Sequence, residues 1–115
     1  MSEDIYQKLK QLQIEDFLFL VFAVASLFDA FGNEDIRRYY TDGNGKENAR
    51  RKFIISTVLI ICVFLFFAKR NYNNLKKQQI GSDEYYYAYI RFVGTIFIIL
   101  GESLVLYYFI KTSDI

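Results

Sequence analysis

The sequence predicts an all-α integral membrane protein, with three transmembrane helices in a single domain after a short amphipathic N-terminal helix. Three observations carry that expectation. Hydrophobic residues make up 53% of the 115 residues, and they gather into three runs, Phe17–Phe31, Phe53–Ala68 and Ile90–Ile110. Helices apolar on every side belong deep in a large protein or in lipid, and a chain this short has too little polar sequence to cover three of them. Tyrosines also bracket the third run. Tyr87 and Tyr107 stand twenty residues apart, about 30 Å of helix, which is the thickness of a bilayer's hydrocarbon core. With Tyr85, Tyr86, Tyr89 and Tyr108 they form an aromatic belt at each interface.

The elements follow in order. Residues 2–14 are read as the amphipathic helix, lying in the interface or running straight into the first span: Ser2 is a capping residue, Glu3 and Asp4 complement the macrodipole, and Ile5, Leu9 and Leu12 recur at helical spacing. Residues 17–36 form the first span. The acidic N-terminus, MSEDIYQKLK, lacks the form of a cleavable signal, so this span is expected to act as an uncleaved anchor. The polar stretch from Gly32 to Lys52 is expected to be a solvated connection, with its turn at Asp42-Gly43-Asn44-Gly45. It fails as a calcium loop, because Lys46 and Glu47 stand where the fifth ligand and the glycine belong, and as a phosphate loop, because Lys46 is followed by Glu47.

Residues 52–70 form the second span. Its apolar run Phe53–Ala68 covers roughly 24 Å, and Arg50, Arg51, Lys52, Lys69 and Arg70 extend it by snorkelling. A second polar connection follows, with its break at Gly81-Ser82, and then the third span, residues 89–110.

Composition narrows the function. Net charge is +1, there is no histidine, and the only cysteine is Cys62. Structural zinc, CxxC redox chemistry, haem attachment and intramolecular disulfides are thereby excluded, and no cofactor is expected. Cys62 is expected to be a small packing residue. YYYAY could stack bases, but Asp83 and Glu84 adjoin it where a basic groove would be needed, so no nucleic acid is expected as a partner. No nucleophile, base and carboxylate share a face, and an enzyme is not expected. Abundant Ile, Lys, Asn, Tyr and Phe without proline suggest an AT-rich bacterial genome.

What remains is polar chemistry at membrane depth: Glu102, Asp29, Arg91 and Ser26. An ionisable group there is a functional hypothesis by default. Glu102 has three readings: a protonated group that glues helices, a lining of a proton or cation pathway, or a partner for a cation on another subunit. At 100° per residue, Arg91, Gly94, Ile98, Gly101, Glu102 and Val105 are expected to share one contact side, with Gly94 and Gly101 letting a helix approach. Phe97 and Ile99 then face lipid. The first span offers a matching stripe through Glu15, Phe19, Phe22, Ser26 and Asp29.

Orientation follows poorly from charge, since each side carries seven Lys and Arg once Arg91 and Lys111 are counted. Arg37 and Arg38 after the first span tilt the expectation to a multi-pass protein of the cell membrane with its N-terminus outside and its C-terminus cytoplasmic. Two function classes survive. One is an accessory or interaction subunit of a membrane complex, acting through polar and small helix faces. The other is a homo-oligomeric ion channel or pore with Glu102 toward the pathway, including a lytic, holin-like type, although KTSDI lacks a strongly basic tail. Partners in either case are the lipid bilayer and further copies of the chain or other membrane subunits.

Overall fold

The computed structural model describes residues 2–112. Three helices account for almost all of them: α1 (Glu3–Asp42), α2 (Lys46–Lys76) and α3 (Asp83–Lys111). Ser2 caps α1 as its sequence suggests, its Oγ accepting from the Ile5 amide at 3.3 Å. Of the two placements expected for the amphipathic segment, the structure has the one that runs straight into the first span. Residues 3–14 are rich in Leu, Lys, Gln and Glu, all strong helix formers, and nothing in them breaks the turn, so they run unbroken into α1. The polar stretches beyond the apolar runs are likewise mostly helical. Hydropathy marks where a helix would meet lipid, whereas backbone propensity and caps mark where it ends.

The first connection is only Gly43–Gly45. Gly43 closes α1 in the left-handed region at φ 79° and donates its amide to the Tyr39 carbonyl at 2.7 Å. Gly45, at φ 105°, starts α2, and a Cβ there would stand 2.8 Å from the Asp35 carbonyl oxygen. So short a turn fixes α1 and α2 as antiparallel neighbours. The second connection, residues 77–82, turns at Gly81 (φ 93°), and Ser82 caps α3 by accepting from the Tyr85 amide at 3.1 Å.

The helices lie in one layer, 59 × 32 × 16 Å, with α2 in the middle. Among the described residues α1 and α3 each pack on α2 and not on each other. The contact seams recur at alternating steps of four and three. On α3 the seam is Ala88, Phe92, Thr95, Ile99, Glu102 and Leu106; on α1 it is Glu15, Leu18, Phe22, Ala25, Asp29 and Gly32. A 3.5-residue repeat of this kind keeps one stripe against a neighbouring helix. α2 answers with Ala49, Ser56 and Val63, one per two turns and each no more than 1% exposed. Small side chains let the backbones approach, and rings interlock beside them: Phe22 edge-on to Phe64 at 5.8 Å and Phe53 stacked on Phe109 at 5.4 Å.

Two helices, α2 and α3, are long and apolar enough to cross a membrane. Neither is mostly buried inside the chain, with 22% of the apolar stretch of α2 covered. Only 6% of the apolar stretch of α3 is buried inside the chain, and Phe97 and Leu104 are 68% and 71% exposed. Cys62 is also exposed, so it is not the packing residue its sequence position suggested.

Candidate functional site

The polar side chains of the three helices form levels along α2. At the end nearest the Gly43–Gly45 turn, Asp35 is 3% exposed and accepts from Lys52 Nζ, with Arg38 Nη1 3.5 Å from its other oxygen. Arg50 reaches from α2 to the end of α3. Its Nε donates to the Phe109 carbonyl at 2.6 Å and its Nη2 to the Ile110 carbonyl at 2.7 Å. These are carbonyls a helix end leaves without partners, and a cation there also answers the macrodipole.

At the other end Glu15 of α1 is ion-paired with Arg70 of α2, both side chains more than four-fifths buried. Asn71 Nδ2 donates to Thr95 Oγ1 at 2.8 Å, joining α2 to α3, and the Thr95 hydroxyl donates in turn to the Arg91 carbonyl at 2.9 Å. Arg91 itself is exposed and lines a cavity with Glu15, Arg70, Asn71 and Thr95.

The middle level holds Asp29, Ser56 and Glu102. The contacts Phe22–Phe64 and Gly32–Phe53 set the register of α1 on α2 and place Asp29 across from the turn holding Ser56 and Thr57. Glu102 meets α2 about one turn away, near Leu59 and Ile60, by the register of the Phe53–Phe109 stack. Both carboxylates are half-buried on seams that face α2, one from α1 and one from α3. Ser56 is 1% exposed, and its Oγ has no hydrogen-bond partner among the described residues.

Of the residues singled out in the sequence, Asp29 and Glu102 each lie half-buried on a seam against α2. Ser26 does not join them; it is exposed and donates its hydroxyl to the Phe22 carbonyl of its own helix at 3.1 Å. Gly94 and Gly101 do not mark the face that meets α2 either. A Cβ at either position would find no atom within 4 Å. Ile99, assigned above to lipid, is the residue on that seam. Angular arithmetic groups residues by side, but in a helix apolar all round it does not say which side a neighbour takes, and Gly101 is rotated about 100° from Glu102. Sequence reasoning named Arg50 and Lys52 only as snorkelling flanks and missed their partners, Asp35 and the end of α3, because those partners lie on other helices. It gave Ser56 no role, because a lone serine in an apolar run carries no charge to mark it. The signal available was the heptad spacing of Ala49, Ser56 and Val63.

Among the described residues no three His, Cys, Asp or Glu side chains gather as a metal site would require. Comparison with protein-family models, with curated proteins and with solved structures finds no match for this chain.

Proposed function

We propose that this is a three-span protein of the cell membrane that acts as an interaction subunit, offering the outer face of α3 to a helix of another chain. The observation that carries the reading is the open space around Gly94 and Gly101. In lipid, association depends on close backbone approach, and glycines on an uncovered helix face supply it. Two further facts support insertion. Soluble monomers rarely expose apolar patches beyond a few hundred Å², yet Phe17, Leu20, Phe97 and Leu104 are each at least 63% exposed. α1 turns its one mid-run charge, Asp29, toward α2, leaving Phe17, Leu20, Leu27 and Phe31 outward, so it too can cross.

The test is assembly in nanodiscs or liposomes, read by energy transfer between labelled copies and by co-purification of membrane partners. Gly94→Leu and Gly101→Leu fill no space inside the chain, so the folded monomer should persist while assembly falls. Assembly that ignores both substitutions, or a chain that stays monomeric and partnerless in its membrane, would sink the reading.

A second reading, a proton or cation route beside α2 in an oligomeric channel, is favoured by the buried, unpartnered Ser56 hydroxyl on the helix that the Asp29 and Glu102 seams face. Glu102→Gln keeps shape and hydrogen bonding but removes the charge. It should alter ion flux in liposomes with assembly intact, and unchanged flux removes this reading.

A further inference from the structure

We infer that the end of the layer where α1 begins and α2 ends holds a binding site for the headgroup of an anionic phospholipid. A cavity of about 630 Å³ opens there, and its cations are Lys8 from α1, Lys69, Arg70 and Lys77 from α2, and Arg91 from α3. One carboxylate, Glu15, lines it, and Arg70 already holds that carboxylate. Lys8, Lys69, Lys77 and Arg91 make no ion pair among the described residues. Arg91 stands close enough to Arg70 for their charges to repel. The cavity is therefore a concentration of positive charge with its one internal counter-charge spent. The amides of Gln11, Asn73 and Asn74 add neutral hydrogen-bonding groups to the same wall. Phosphate oxygens satisfy both kinds of donor.

Phosphate could come from a lipid or from solution, and the shape favours the lipid. A second cavity of about 260 Å³ adjoins the first, sharing Glu15, Arg70, Asn71 and Arg91 with it, and is walled by Phe19, Phe64 and Phe67. A soluble anion has no use for three aromatic rings, whereas an acyl chain below its headgroup does. The depth also fits. The charged cavity lies where the apolar run of α2 gives way to Lys69 and Arg70 and where the tyrosines of α3 begin, the level of headgroups in a bilayer. Basic pockets between membrane helices are a recognised mode of anionic-lipid binding.

This inference rests on membrane insertion, and its test separates the two. The full chain, purified in mild detergent, is given equimolar phosphatidylglycerol and phosphatidylcholine, and retained lipid is counted by native mass spectrometry. The wild type should retain phosphatidylglycerol preferentially. The variant Lys69→Gln/Lys77→Gln/Arg91→Gln alters only exposed side chains and should lose about 100-fold in that affinity. The variant Arg37→Gln/Arg51→Gln/Lys111→Gln removes the same charge from the other end and should retain it. Equal loss in both variants, or no preference in the wild type, overturns the site. Inorganic phosphate that displaces the lipid at the lipid's own concentration overturns the lipid assignment. Flotation with phosphatidylcholine vesicles reports insertion alone. Failure to float overturns insertion and the site together, whereas flotation without phosphatidylglycerol preference overturns only the site.

Discussion

Gly32 of α1 lies against the Phe53 ring of α2, and alanine there sets two effects of known size against each other. Gly32 is in a helix interior, so gaining a methyl should stabilise the folded state by about 1 kcal/mol through backbone entropy. The methyl would, however, stand 2.8 Å from Cε1 and 3.0 Å from Cζ of Phe53. A free ring would swing aside at little cost. Phe53 is not free, because its other face is stacked on Phe109 at 5.4 Å with the planes 20° apart, so retreat drives it into α3. Overpacking of this kind costs about 1–3 kcal/mol, and the steric effect should win. Gly32→Ala is expected to destabilise the chain by about 1 kcal/mol. Phe53→Val removes Cε1 and Cζ, so in that background the same alanine should stabilise by about 1 kcal/mol, a coupling of about 2 kcal/mol across the pair. The assay is reversible unfolding in mixed micelles, with Gly94→Ala as the reference for propensity without contact. If Gly32→Ala proves as stabilising as Gly94→Ala in the wild-type background, Phe53 is not pinned and the account of this seam is wrong.

Other outcomes follow from the polar levels. Lys52→Met leaves the buried Asp35 carboxylate with only the more distant Arg38, and should destabilise the folded chain in the same assay by about 3 kcal/mol. Arg50→Gln should cost about 1.5–3 kcal/mol and speed amide exchange in the last turn of α3, where two carbonyls lose a charged donor. Ser56→Ala removes a buried hydroxyl that has no partner, so stability should stay level or rise by about 1 kcal/mol; a marked loss would mean the hydroxyl is bonded after all. Single cysteines at Ser2 and Asn44, in a Cys62→Ala background, should label from opposite sides of the membrane if α1 crosses it.

The turns were legible in the sequence, whereas the helix ends, expected at residues 36, 52 and 89, lie further out at Asp42, Lys46 and Asp83. Ser2 was recognisable as a cap, the Asp42–Gly45 stretch as a turn and Gly81-Ser82 as a break, because those signals are local and chemical. The faces were not legible. In α3 nearly every position is apolar, so periodicity has nothing to contrast, and the buried positions are occupied by small or polar residues such as Ala88 and Thr95 while Phe97 and Leu104 point outward. That inverts the pattern of a water-soluble helix, where size and apolarity mark the core. Glu102 was conspicuous as a carboxylate in an apolar run, but that it and Asp29 both face α2 depends on two seams meeting one central helix, which no single stretch encodes.

That central position of α2 also makes the chain one-dimensional in its energetics. With α1 and α3 each docked on α2 and not on each other, stability should approach a sum of two nearest-neighbour interfaces, as in a stacked repeat array. A defect in the α1 seam, such as one at Ala25, should then add to a defect in the α3 seam, such as one at Thr95, to within about 0.3–0.5 kcal/mol. The third helix could detach from an intact α1–α2 hairpin without unfolding it, giving the chain a partly undocked state that a closed three-helix bundle would not possess.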